Sequence, residues 1–139
     1  MLKLYSPQGN ISVRLPGNAS LECLPVSTPI AYAARARADS LLAELVSAGE
    51  AVTKAGGRLH GVPDLSSEDG LSGARQALFV VSLAELAAVG WTGIGGDDGS
   101  ELSFAASHMA QLMLHPGVAE AFQSQYLNSL HGLIAEGNA

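Results

Sequence analysis

Four histidines are the side chains that could most readily form a metal site or an acid–base pair in this chain. Two of them, His108 and His115, are seven positions apart, so one continuous helix would place both on the same face. Pro116 follows directly and ends such a helix, because proline disfavours a helical conformation in the residue before it. No carboxylate or cysteine stands at ligand spacing, and no His-Glu-x-x-His motif occurs. The pattern therefore favours surface or capping histidines over metal ligands.

The segment 93–101 combines glycines with acidic residues, as phosphate loops and calcium loops do. A phosphate loop needs a preceding strand, a following helix and usually a lysine, whereas Asp97 and Asp98 would repel phosphate. A calcium loop with Gly99 at its sixth position would begin at Ile94, which cannot ligate calcium. We therefore interpret the segment as a tight hairpin turn.

Nucleophilic catalysis finds no support in the sequence. Cys23 is the single cysteine and has no histidine near it, and no Gly-x-Ser-x-Gly motif is present. The sequence thus predicts a protein that is not an enzyme and that has neither a cofactor nor a metal. A small enzyme using His108 or His115 remains the chemical alternative, which metal analysis and His-to-Ala variants would test.

Composition indicates a protein that binds another protein. The chain has 139 residues, which predicts a single domain over 1–139. Apolar residues make up 47% and charged residues 14%, so few charges remain to cover the surface. Such a composition favours exposed apolar surface that a partner covers. Nucleic acid is not expected as a partner, because the arginines are dispersed and the net charge is −6.

Membranes are not expected as partners either. A negative net charge disfavours anionic membrane surfaces, and the apolar run 77–89 is too short to cross a bilayer. The first residues lack an apolar signal core, so we expect no export. These patterns predict an intracellular protein.

Hydrophobic periodicity predicts an α+β fold that is mainly α. Residues 1–26 alternate in the manner of strands and form a short antiparallel β-ribbon, with strands at 3–5, 11–15 and 20–24. Residues 27–139 read as a helical part with a flexible loop near 56–67. The ribbon is expected to pack on a bundle of about four helices, which cover Pro29 to Val52, Leu71 to Val89, Ser103 to Leu114 and Pro116 to Ala135.

Trp91 follows the glycine that ends the second predicted helix. It could pack over the end of the bundle with its indole N–H bonded to a loop carbonyl. It could instead be an exposed anchor for a partner protein. The sequence leaves both interpretations open.

Several short motifs occur together in one order along the chain. They are Leu24-Pro25-Val26 before an Ala- and Arg-rich helix, Gly90-Trp91-Thr92-Gly93-Ile94, an Asp-Gly turn, Ser103-Phe104, Leu112-Met113-Leu114, His115-Pro116-Gly117-Val118, the Tyr126 helix and Glu136-Gly137-Asn138. In these features the chain resembles the small tail assembly chaperones of long-tailed bacteriophages and prophages. It departs from them at Thr92, where similar proteins often have an acidic residue, and at the Gly95-Gly96 pair.

The resemblance implies a non-enzymatic viral protein of the host cytoplasm that binds the phage tape-measure protein. It would keep that long helical protein soluble during tail assembly, and it would be absent from the mature virion. The tail tube protein is a further candidate partner, and a homo-oligomer is left open. The alternative is a structural tail-completion or connector subunit of the virion, since strand edges pair between subunits in rings.

Ten residues of the second half are the predicted partner-binding set. Apolar side chains there could form a groove that accepts amphipathic helices, and methionine adapts to varied partners. At helical spacing the same side chains are also typical of an ordinary core. The set is Trp91, Ile94, Leu102, Phe104, Met109, Leu112, Met113, Phe122, Tyr126 and Leu127.

Overall fold

The predicted α+β class is confirmed by the computed structural model, which describes residues 1, 3–4, 9–57 and 59–128. A three-stranded antiparallel sheet has the order β1-β2-β3, with β1 at Ile11–Leu15, β2 at Ala19–Cys23 and β3 at Ala88–Thr92. The strands β1 and β2 are joined by the tight turn Pro16–Asn18. The fold is mainly helical, and the ribbon packs on helices as expected.

The third strand begins within the last two residues of the segment that the sequence predicted as helix. Lys3 and Leu4 lie in no strand, and Tyr5 is outside the described residues. The predicted helix 71–89 instead ends at Ala87, and Ala88 turns the backbone to an extended conformation. The Leu24 backbone N–H donates to the Ala87 carbonyl over 2.8 Å, so pairing with β2 begins immediately after the helix.

Two long antiparallel helices form a hairpin. Helix α1 spans Thr28–Lys54, and its first turn is capped by the Ser27 side chain, which accepts from the Ile30 N–H. Helix α2 spans Glu68–Ala87 and is capped in the same way by Ser67. It therefore starts three residues earlier than predicted. We call this pair of helices the α1–α2 hairpin.

The C-terminal helices are shorter than the sequence predicted. The helix expected from Ser103 to Leu114 is wrong in its first half, where a 3-10 turn, Ala106–His108, precedes helix α3, Met109–Met113. Helix α4 spans Pro116–Phe122 and continues into a wider π-helical turn, Gln123–Leu127. The predicted continuation to Ala135 lies outside the described residues.

Leu102 is fixed in place by two hydrogen bonds of its backbone. The Leu102 N–H donates to the Ile94 carbonyl over 2.8 Å, and its carbonyl accepts the Trp91 indole N–H. Both bonds join Leu102 to the segment 91–94.

The main core lies between the sheet and the helices that follow it. Its fully buried members include Val13 and Leu21 from the sheet, Met109 from α3, and Phe122 and Tyr126 from the C-terminal end of the described chain. Helix α1 adds Ala34 near its start to this core. Its later buried residues, Ala38 and Leu42, lie outside that cluster and face α2. The distal part of the hairpin is therefore separate from the main core.

Candidate functional site

The ten predicted partner-binding residues come together in space, mostly as core rather than as surface. Trp91, Met109, Met113, Phe122 and Tyr126 are buried, and Ile94, Phe104, Leu112 and Leu127 are half-buried. Leu102 is exposed at 37%. Buried side chains cannot contact a partner without opening the fold, so this set does not form an accessible groove in the structure.

Of the two arrangements that the sequence left open for Trp91, the structure has the one in which the indole is packed inside the fold. Its side chain is 9% exposed, and its Nε1–H donates to the Leu102 carbonyl over 2.8 Å. The indole meets Phe104 edge-on at 5.3 Å between ring centroids and stacks on His108 at 5.8 Å. Stacking of this kind stabilises a core beyond the area it buries. Little of the indole is accessible to a partner.

The two closely spaced histidines occupy different structures. His108 lies in the 3-10 turn against Trp91, whereas His115 is exposed at the residue before α4. They do not share a helix, because α3 ends at Met113. Among the residues that the structure describes, no cluster of three or more histidine, cysteine or carboxylate side chains could hold a metal ion.

The acidic glycine segment forms the tight turn that was predicted. The Gly96 N–H donates to the Ser100 carbonyl and the Gly99 N–H donates to the Gly96 carbonyl, both over 2.9 Å. Asp98 Oδ1 accepts the Ser100 hydroxyl at 2.7 Å and the Ser100 N–H at 3.0 Å. These hydrogen bonds lower the pKa of Asp98. The Asp98 carboxylate therefore stabilises the turn through these hydrogen bonds.

Cys23 makes a pH-dependent contribution to stability. Burial raises the pKa of its thiol from 9.0 to about 12, and the Glu22 carboxylate adds to the shift. Between these pH values the folded protein keeps a proton that the unfolded chain releases, so stability falls as pH rises above 9. We expect the free energy of unfolding to fall more steeply there in the wild type than in Cys23→Ala. Urea titrations along this pH range measure both slopes, and parallel slopes would contradict the assignment.

An open groove runs along one flank of the α1–α2 hairpin. It has a volume of about 910 Å³. The apolar part of its wall is formed by Ala38, Leu42, Ala43 and Val46 from α1 and by Leu71 and Phe79 from α2. Charged side chains lie among them, with the Arg75 guanidinium 3.7 Å from the Asp39 carboxylate. We call this feature the hairpin groove.

A second pocket adjoins the groove at Val46 and lies between the end of α1 and the loop 59–66. It has a volume of about 620 Å³, and its walls include Gly49 and Leu65. On α1 the lining positions recur every three or four residues from Arg35 to Lys54. Such spacing marks one continuous face of a helix, about five turns or about 28 Å long. A helix of about 18 to 20 residues has that length.

Small residues shape the hairpin and leave the groove shallow-walled. Ala38 on α1 and Ala74 on α2 are buried where the helices face each other, and Gly70 is buried in the first turn of α2. A pair of helices buries only the facing stripe of each member. Flanking side chains such as Val46 and Phe79 are consequently left half-exposed. A third helix laid along this flank would cover them.

The sheet edge at β1 is partly engaged. The Arg14 N–H donates to Gln125 Oε1, and the Gln125 Nε2 group donates to the Arg14 carbonyl, both over 2.7 Å. The Gln125 side chain thus takes the position that a neighbouring strand would occupy at this residue. Such a cover protects a strand edge from pairing with other chains.

Comparison with known proteins does not assign the chain to a family. No protein-family model matches it, and no curated protein or solved structure matches it. None of the described helices is long and apolar enough to cross a membrane.

Proposed function

We propose that this protein is a non-enzymatic chaperone of phage tail assembly that holds an amphipathic helix of the tape-measure protein in the hairpin groove. Chaperones of this kind act in the host cytoplasm and leave before the tail is complete. The sequence motifs around Leu24-Pro25-Val26 and Gly90-Trp91-Thr92-Gly93-Ile94 support this role through their resemblance to tail assembly chaperones.

The observation that carries the proposal is the open groove on an otherwise well-packed domain. Val46 and Phe79 offer half-exposed apolar surface there, and the lining positions of α1 run from Arg35 to Lys54, about five helical turns. Amphipathic helices bind such grooves through apolar residues repeated at three- and four-residue spacing. A tape-measure protein is long and helical, so it presents many segments of this kind. The limited area of one groove keeps each contact reversible, because only the surplus over the cost of association appears as affinity.

The rival proposal is a structural tail-completion or connector subunit. Its main support was the N-terminal strand edge, which could pair between subunits of a ring. Gln125 already engages that edge at Arg14, which weakens this support. Purified mature particles separate the two proposals, because a structural subunit stays in the particle and a chaperone does not.

A charge placed in the groove tests the chaperone proposal. We expect Ala43→Glu to abolish most of the soluble yield of co-expressed tape-measure protein, because a bound helix would bury an unpaired carboxylate there. Ala43 is exposed, so the fold itself should be retained. The measurement is the fraction of tape-measure protein in the soluble lysate, compared with that obtained from the wild-type chain.

Ala48→Glu is the matched control for this test. Ala48 is also exposed on α1, but it does not line the groove. This variant should keep the tape-measure protein as soluble as the wild type does. Equal solubility with and without the wild-type chain would reject the chaperone function, whereas equal loss in both variants would reject the groove as its site.

A further inference from the structure

We propose that the client helix, which the hairpin groove holds, is acidic at one end, where a carboxylate beside its apolar stripe pairs with Arg35. This inference rests on the proposed function, because it names the chemistry of the helix that is bound. It is supported by the charge of the groove wall, whose sign is opposite to that of the whole chain.

The hairpin groove concentrates positive charge on an acidic protein. The chain has thirteen acidic and seven basic residues, which give a net charge of −6. The charged residues among those that line the groove are two arginines, Arg35 and Arg75, and one carboxylate, Asp39. All three are exposed. The net charge of the chain would attract basic partners, whereas this wall favours an acidic one.

Arg35 is the groove arginine that has no carboxylate partner in the described part of the chain. Asp39 stands four positions further along α1, at the usual spacing of a helical ion pair, but its carboxylate lies 3.7 Å from Arg75. The Arg35 guanidinium lies instead 6.0 Å from the centre of the Phe79 ring. An arginine can contact a ring in this way and still donate N–H groups to a carboxylate. Arg35 therefore keeps donors for a bound helix.

Arg37 shows the contrasting arrangement two positions further along the same helix. Its Nη1 donates to Glu85 Oε2 over 2.9 Å, which joins α1 to α2. Arg37 does not line the groove. The structure thus uses one arginine of this turn to hold the two helices together and leaves the charge of Arg35 on the side of the groove.

A helix laid over Phe79 would displace water from Arg35. Phe79 is half-buried and offers the apolar contact, while removing water from an unpaired guanidinium costs free energy. A carboxylate on the bound helix restores a partner through charge-assisted hydrogen bonds. A lysine at the same place adds repulsion between like charges. The groove should therefore discriminate between helices that have the same apolar stripe and differ in charge at this end.

Two synthetic peptides of about 20 residues test the inference, since that length spans the groove. Both have the same apolar stripe, and beside one end of it one peptide has two glutamates and the other has two lysines. Fluorescence anisotropy at low ionic strength measures their binding to the purified full-length chain. We expect the glutamate peptide to bind at least about tenfold more tightly. The net charge of −6 would produce the opposite preference, so this result has to arise locally.

Three variants locate the preference within the protein. Arg35→Glu should remove it, and Arg35→Gln should reduce it, because both take away the guanidinium that pairs with the carboxylate. Arg14→Glu is the matched control, since it makes the same change in charge at an exposed residue of β1 outside the groove. This control should keep the preference of the wild type. Circular dichroism of each variant checks that the helices are intact.

The other outcomes reject the inference. Equal binding of the two peptides, tighter binding of the lysine peptide or no binding of either would show that the client helix needs no acidic end. A preference that survives Arg35→Glu as fully as Arg14→Glu would reject Arg35 as the partner of the carboxylate. If the wild-type chain still keeps the tape-measure protein soluble, these results leave the chaperone function standing. Failure of that solubility test would instead reject the function, whatever the peptides show.

Discussion

Replacing Trp91 with alanine is expected to lower the free energy of unfolding by roughly 3 to 5 kcal/mol. The substitution removes an indole that is 9% exposed, together with its contacts to Phe104 and His108. It also leaves the Leu102 carbonyl without the N–H that donates to it over 2.8 Å. Urea unfolding followed by far-ultraviolet circular dichroism measures the change, since the variant has no tryptophan to report fluorescence.

Val89→Ala on the same strand is the control for the Trp91 variant. Val89 is 46% exposed, so its truncation should change the free energy of unfolding by only about 0.5 kcal/mol. If Trp91→Ala were as mild as Val89→Ala, the tryptophan would not be the packing element described above. A strong loss of tape-measure binding with an intact fold would then restore its role as a partner anchor.

Gly70→Ala is expected to destabilise the protein by roughly 2 to 3 kcal/mol. A Cβ on Gly70 would overlap the backbone carbonyl of Asp64. That carbonyl accepts the Ser67 hydroxyl at 2.9 Å, and the Ser67 hydroxyl in turn accepts the Gly70 N–H at 3.0 Å. The added methyl group therefore forces apart the turn that caps α2. Thermal and urea unfolding both measure the effect.

Gly73→Ala provides a control with the opposite sign. Gly73 lies in the same helix, and nothing lies within 4 Å of a Cβ placed there. Because alanine restricts the unfolded chain more than glycine does, this variant should gain roughly 0.5 to 1 kcal/mol. If Gly70→Ala and Gly73→Ala both destabilised the protein, helix α2 would disfavour alanine generally. Two stabilised variants would contradict the close approach of Asp64 to Gly70.

The sequence predicted the fold class because alternation and helical periodicity are local signals. The strands β1 and β2 and the helix α1 follow from their own residues, with Ser27 and Pro29 marking where α1 starts. Strand β3 was missed because Ala88 and Val89 continue an alanine-rich helical pattern. Its extended conformation depends on pairing with β2, a contact that is distant in sequence. Tertiary pairing overrides local propensity in such cases.

The candidate site was missed for a related physical reason. Apolar residues after Trp91 suggested a partner surface, but they pack on the sheet to form the core. The groove instead lies on a flank of α1 where Arg35 and Asp39 interrupt the apolar pattern. The signal that could have found it is the three-residue spacing of Ala43, Val46 and Gly49 beside the stripe that faces α2. The α1–α2 hairpin extends beyond the main core, and no other described helix covers this flank. That absence of cover is visible only in the structure.

The most direct test of the central claim is photo-crosslinking from single positions of α1 in cells that also produce the tape-measure protein. A photoreactive amino acid at Ala43 lies in the hairpin groove, and one at Ala48 lies on α1 outside it. We expect an adduct with the tape-measure protein from position 43 and none from position 48. No adduct from position 43, or equal adducts from both positions, would contradict the proposal that this groove holds the client helix.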